Sequence, residues 1–396
     1  MTDIALHPAP PASRRTVRIN AGAIATTIAC VLPVFLVGGL AVQMGDDLDF
    51  TPAGLGLAVS VYFGVSALAS VPSGALVERY GPAVVARAGI LLSAGSLLAV
   101  AGLARSYPVL VALLALSAAA NALGQLASNA ALARHVPAHR QGLSFGVKQA
   151  AIPISTLLAG AAVPTVALTA GWRWAFVVAA LAALAALPAV PLAERDRART
   201  AAARAGRATT ALVVVGVAAT LAAAAANALG TFVVDSAAGR GLSPALAGLT
   251  LTLGSAVCVA ARVGAGWLAD RRETGHVAVI AGMLVVGAVG LLLLAVAGPV
   301  PLVAGVVLGF GLGWAWPGLM NFAVVRLHPQ APAAATSITQ TGVYAGGCLG
   351  PLGLGTIADA AGYPAMWGTA AAAMLLAALF MLAGARLLSR SPSPSR

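Results

Sequence analysis

The sequence predicts an all-α membrane protein in which twelve transmembrane helices form two pseudo-symmetric six-helix bundles. Three observations carry that prediction. Sixty per cent of the residues are hydrophobic, 9% are charged and the mean hydropathy is +0.94, whereas a soluble domain carries roughly a quarter charged residues. Apolar runs close to the ~20 residues that a spanning helix needs recur along the whole chain. The second half also repeats the first at a fixed offset.

The elements follow in order. Residues 1–19, opening "MTDIALHPAPPASRR", read as a polar, Pro-rich, basic tail. The apolar stretch from Ile19 to Met44 is longer than the roughly 7–15-residue apolar region of a signal peptide, so it reads as a first span. Spans lie near 20–44, 53–74, 83–104, 108–133, 142–165 and 173–192, then near 209–234, 245–269, 276–297, 301–325, 335–358 and 365–387. Backbone groups in lipid must be bonded internally, which makes such runs helices. The N-terminal bundle is thus 20–193 and the C-terminal bundle 209–387. A basic linker, "ERDRARTAAARAGRA" (194–208), joins them, and a short tail closes the chain at 388–396.

Charge sets the orientation. Eighteen arginines fall in the segments on the side of the termini and three, Arg105, Arg173 and Arg240, on the other. By the positive-inside rule both termini are cytoplasmic in a cell (inner) membrane. The net charge of +12 is scattered over short loops and forms no basic domain, which excludes nucleic acid as a partner. Cys30, Cys258 and Cys348 lie in separate apolar runs with neither a disulfide framework nor a CxxC spacing, so they read as packing residues. No metal, cofactor or catalytic residue is expected: GxSxG, HExxH and phosphate-loop patterns are all missing from the sequence.

A shift of 192 residues lays Pro52 on Pro244, Gly74 on Gly266, Glu78 on Asp270, Arg79 on Arg271, Asn129 on Asn321, Arg134 on Arg326 and Pro137 on Pro329; a shift of 191 lays Gln149 on Gln340. Polar residues carry a second pattern. Apart from Arg87, Arg173, His276 and Arg386 near their ends, spans 6 and 9 have no polar side chain, span 12 has only Thr369, and span 3 only Ser93 and Ser96. The other eight spans place polar groups at helical spacing, as in Asn121, Gln125 and Asn129 of span 4 and Asn227, Thr231 and Asp235 of span 7, so that each set shares one face. Interhelical hydrogen bonding accounts for single Ser and Thr residues. The regular arrangement of eight polar spans predicts a central, water-accessible chamber.

"GALVERYG" (74–81) and "GWLADRRETG" (266–275) resemble the loop signature between the second and third helices of each half in the major facilitator superfamily, and the resemblance covers essentially the whole chain. In the family this signature is Gly, three residues, Asp, Arg, one residue, Gly and then basic residues. Here Glu78 replaces the first acid, Pro82 and Ala83 stand in place of the basic pair, and the second copy has an offset glycine. The resemblance implies that the loops brace the inner gate, each acid capping a neighbouring helix and pairing with arginine, through Gly74, Glu78, Arg79, Gly266, Asp270 and Arg271. Span 4 lacks the arginine common in proton-coupled members, with Asn121 near its place, and span 5 lacks the Gly-Pro-x-x-Gly-Gly stretch of drug/proton antiporters. "RVGAGWLAD" (262–270) is similar to span 8 of several organic-anion carriers.

Two cations belong to no loop. Lys148, the only lysine, lies eight residues after Arg140, and Arg262 lies eight before Asp270, so each sits on the order of 12 Å inside the bilayer edge. A charge at such depth costs roughly 2.5–3.5 kcal/mol on insertion scales and marks a pathway; snorkelling to the interface is the other reading. In the resembling family spans 5 and 8 meet between the halves, where two cations repel unless an anion lies between them. Lys148 and Arg262 are therefore expected to clamp an anionic group, Arg262 as a fork and Lys148 as a point charge. Gln149, Asn121, Gln125, Asn129, Asn227, Trp316, Asn321 and Gln340 are expected to line the same site. The predicted protein is a monomeric, lipid-embedded secondary transporter that moves a small anionic organic solute by alternating access. Proton-coupled efflux of hydrophobic compounds is the alternative within transport, and a membrane solute sensor is the alternative outside it. No acid relay is visible near a midplane, which leaves the coupling open among Asp235, Lys148 itself, a protonated substrate, exchange and uniport.

Overall fold

The computed structural model describes residues 12–50, 52–190 and 210–390. The linker expected at 194–208 and the two chain ends, 1–11 and 391–396, lie outside the described residues. Everything described is helix, turn or loop, with no strand among the described residues. In the N-terminal half α1 (Ala12–Gly39) is followed by a short α2 (Ala41–Leu48), then α3 (Pro52–Tyr80), α4 (Pro82–Leu103), α5 (Tyr107–His135), α6 (Gln141–Ala162) and the turn α7 (Leu168–Ala170), and α8 (Trp172–Ala185). In the C-terminal half come α9 (Thr210–Ala238), α10 (Pro244–Ala269), α11 (His276–Ala295), α12 (Pro299–Leu308), α13 (Trp316–Leu327) and α14 (Pro332–Arg390). Span 5 is α6 with α7, joined by a π-helical turn at Val163–Ala167. Span 10 is α12 with α13, joined by another at Gly309–Gly313.

Eleven of these stretches are long and apolar enough to cross a bilayer. The twelfth crossing comes from α14, whose Gly362 adopts φ 82° and ψ 169° and so divides one continuous run into spans 11 and 12. Only glycine takes that backbone geometry without a Cβ penalty. Proline opens many of the spans. Pro82, Pro108, Pro244, Pro299 and Pro317 occupy the first or second helical position, where the missing N–H would have had no helical acceptor.

Proline inside a span acts differently, because it removes the N–H that would bond the carbonyl four residues earlier. Pro33 leaves the Ala29 carbonyl without that donor, and the Ser93 hydroxyl of α4 donates to it at 2.6 Å. The two serines of span 3 therefore face inward, Ser93 and Ser96 both being buried, while Val84, Leu91, Leu98 and Leu103 of the same helix are exposed. The other three least polar spans also expose one apolar stripe: Val178 and Leu181 on α8, Val285, Val289 and Leu292 on α11, and Leu375, Leu376 and Leu379 on the last span.

The halves meet along two seams. In one, α6 runs against α10 with glycines at the contact. A Cβ on Gly142 would meet Asp270 Oδ1 at 2.8 Å and Ala269 Cβ at 3.1 Å. One on Gly146 would collide with the Arg262 carbonyl. In the other seam α3 runs against α14: Ser60 donates to the Cys348 carbonyl at 3.2 Å, and the Phe63 and Tyr344 rings lie 6.2 Å apart. By contrast α1 and α9 make at most passing contact. The apolar core of the C-terminal half extends across the seams to Ile19, Leu132, Val136 and Phe145, sealing the face from which α1 starts. On the opposite face Asp47 accepts from Trp172 Nε1 at 3.1 Å and Arg173 Nη1 at 2.7 Å, bonds that hold its carboxyl below its ordinary value.

Candidate substrate site and gate

Lys148 is fully enclosed, with 0% of its surface exposed. Gln125 and Asn129 sit one turn apart on α5 and present their side-chain oxygens to the same point. The Lys148 ammonium donates to Gln125 Oε1, to Asn129 Oδ1 at 3.0 Å and to its neighbour's Oε1, that of Gln149, at 3.4 Å. Asn129 Nδ2 is buried without a partner.

Arg262 of α10 is 1% exposed and crosses the seam. Its Nη1 donates to the Gln149 carbonyl at 2.5 Å and its Nη2 to the Trp314 carbonyl at 2.9 Å. The local chain explains both acceptors. Pro153 stands four residues after Gln149 inside α6 and cannot supply the N–H that would otherwise claim that carbonyl. Trp314 lies in the turn between the π-helical segment and α13, outside the regular ladder. Gln149 thus joins the two cations, holding Lys148 by its side chain and Arg262 by its main chain. Neither cation has a carboxylate partner among the described residues, where the ion pairs are Glu78–Arg134 and Asp47–Arg173. Replacing Pro153 by Ala returns a competing N–H to Gln149. We expect Pro153→Ala to loosen Arg262 and to raise the concentration of transported solute needed for half-maximal uptake by roughly 5–10-fold, the worth of about one hydrogen bond.

The remaining expected site residues divide. Asn121 donates to Ser66 Oγ at 3.3 Å, and Tyr344 of α14 lies beside both Asn121 and Gln340, which places a second polar group along the α3–α14 seam. Asn321 is fully buried with both amide atoms unpartnered, and Trp316 is buried with its Nε1 unpartnered. Asn227 is only half-buried, and its amide bonds back to the Ala223 carbonyl of its own helix at 2.8 Å, so it joins neither group. Trp314 was not singled out from the sequence, although "WAWPG" hints at it: the proline at 317 marks the start of α13 and so leaves Trp314 in the turn before that helix. The expected open chamber is closed around the cations, both being enclosed by amides and carbonyls. A surface cleft of about 490 Å³ lies elsewhere, lined by Gln43, Asp47, Gly171, Trp172 and Arg173.

The residues expected at the gate obey the repeat. Glu78 at the end of α3 accepts from the Ala333 N–H at 2.9 Å, in the first turn of α14. Asp270 at the end of α10 accepts from the Gly142 and Leu143 N–H groups at 2.6 and 2.8 Å, in the first turn of α6. Each acid satisfies orphan donors at the positive end of a helix in the opposite half. Glu78 also pairs with Arg134. Arg79 and Arg271 are turned elsewhere: both are exposed, Arg79 lying over the Tyr80 ring at 5.2 Å and Arg271 over the Trp267 ring at 3.6 Å. Gly74 and Gly266 let the paired helices close, since a Cβ on Gly74 would meet Ser337 Cβ at 3.0 Å. Burial raises the Asp270 carboxyl above its ordinary value, against the two backbone N–H bonds that lower it.

The profile of the Major Facilitator Superfamily matches residues 23–351 and 215–396. The chain belongs to this superfamily. Solved facilitators share its architecture at low identity. The Escherichia coli fucose:proton symporter FucP aligns at 15% identity over 96% of this chain and 100% of its own, with a TM-score of 0.74. The proton:xylose symporter XylE, bound to 6-bromo-6-deoxy-D-glucose, aligns at 16% over 94% and 96%, with a TM-score of 0.77. The human organic anion transporter TETRAN aligns at 18% over 94% and 100%, with a TM-score of 0.68. No curated protein matches the sequence. As a facilitator the chain is a multi-span membrane transporter of a small molecule, and these likenesses fix its fold.

Proposed function

We propose that this facilitator is a secondary active transporter of a small anionic organic solute. The bundles 20–193 and 209–387 rock about the two seams, and the linker 194–208 tethers them. The observation that supports the anionic reading most directly is the pair of enclosed cations, Lys148 and Arg262, whose partners among the described residues are neutral acceptors. Bonds from these donors to a carboxylate are shorter and roughly twice as strong as bonds to neutral acceptors. An arriving anion meets a guanidinium held in place by the Gln149 and Trp314 carbonyls, and its charge relieves the burial of two like charges. Unpartnered groups nearby in the sequence of the site, Asn129 Nδ2 and Arg262 Nε, supply further donors, and Asn321 and Trp316 carry buried polar atoms of the same kind. In this reading the protein works as a monomer in the lipid of a cell membrane, with both termini in the cytoplasm, which the arginine distribution supports.

Reconstitution in proteoliposomes tests the proposal. Radiolabelled mono- and dicarboxylates should exchange across the membrane and compete with one another, while neutral sugars do neither. Flux of neutral sugars with indifference to carboxylates overturns the anionic reading, and saturable binding with no flux of any solute overturns transport in favour of sensing.

A further inference from the structure

The surroundings of Lys148 have the composition of an ion site. Gln125 Oε1, Asn129 Oδ1 and Gln149 Oε1 converge on one nitrogen, and no carboxylate among the described residues pairs with it. Divalent cations are held by sites built on carboxylates; a ring of neutral carbonyl dipoles is the donor set that replaces the hydration shell of a monovalent cation. The amide orientations agree. Asn129 leaves its Nδ2 buried and unpartnered while its oxygen faces the ammonium, so contact with the positive charge sets the side chain.

We infer that Gln125, Asn129 and Gln149 form a monovalent-cation site that the chain fills with its own Lys148 ammonium. The site gives the protein a tethered cation where a carrier could otherwise hold a diffusible one, and transport needs no alkali ion at this position. The inference concerns the cage alone and does not depend on which solute is carried.

Lys148→Ala removes the tether and leaves the three oxygens facing an emptied volume, into which a small amine can pass in neutral form and protonate. The melting temperature of the purified full-length variant, measured in ammonium, methylammonium, sodium or potassium chloride against choline chloride, reads the outcome. At least one of the four cations should raise it by about 3 °C or more relative to choline, as ligation of the native state requires. Wild type, whose site is occupied, and Lys148→Met, which fills the volume without charge, should show no such cation-specific rise. Absence of any response in Lys148→Ala overturns the inference, as does an equal response in Lys148→Met. Should Lys148→Ala be unstable in choline, purification in each salt decides instead: a monodisperse protein recovered with a small cation supports the site, and failure in all four overturns it.

Discussion

Arg262→Ala is expected to lower the apparent affinity for the proposed anionic solute on the order of 100-fold. The guanidinium spans the seam with two donors, and charge-assisted hydrogen bonds contribute about 1.5–3 kcal/mol each, so the loss of a two-pronged contact reaches roughly 3 kcal/mol. Arg262→Lys should recover only part of this, because an ammonium cannot reproduce the fork that reaches the Gln149 and Trp314 carbonyls at 2.5 and 2.9 Å. Concentration dependence of uptake in proteoliposomes measures both. Thermal melting of the same preparations separates affinity from folding, since the alanine variant also leaves the Gln149 and Trp314 carbonyls without their donor. Unchanged affinity in a stable Arg262→Ala protein removes the guanidinium from the solute site.

The second large effect is expected at the gate. Asp270→Asn with Glu78→Gln withdraws negative charge from the first turns of α6 and α14, where three main-chain N–H groups depend on it. A loss of about 3 kcal/mol moves the closed-to-open ratio roughly 100-fold. A cysteine placed at Leu132, which is wholly buried in the apolar seal, reports the opening by its labelling rate with a maleimide. Asp270→Asn alone should produce most of the increase, because it serves two donors and Glu78 one. The Glu78–Arg134 pair adds little, its side chains being 21% and 26% exposed. Unaltered labelling in the double variant assigns closure to the glycine seams instead.

Much of this architecture is legible in the residues. Apolar run length marks the spans, and the fixed offset between Glu78 and Asp270 foretells the symmetry of the gate. It even relates their donors, since Gly142 and Ala333 are separated by 191 residues, the offset that lays Gln149 on Gln340. Lys148 and Arg262 stand out because a charge inside an apolar run is costly. What periodicity cannot convey is which donor meets which acceptor. Arg134, fifty-six residues away along the chain, pairs with Glu78 in place of the adjacent Arg79; helix geometry turns neighbours in sequence to different sides. Gln149 and Trp314 bind Arg262 through main-chain oxygens, which every residue possesses, so side-chain identity is silent about them. Only the prolines at 153 and 317 hint at where the ladder is broken. Asn227 shows the converse error: its spacing suits a shared polar face, yet its amide is satisfied within one helix turn.

The two seams, related by the repeat, are chemically unequal. Lys148 falls on Thr339 under the 191-residue shift and Arg262 on Ser70 under the 192-residue shift, both uncharged. The proposed anionic solute would therefore grip one flank of the bundle and leave the other flank to act as a fulcrum. Its pull would be applied off the pseudo-twofold axis, so that loading would tilt the halves as a lever does and not squeeze them evenly.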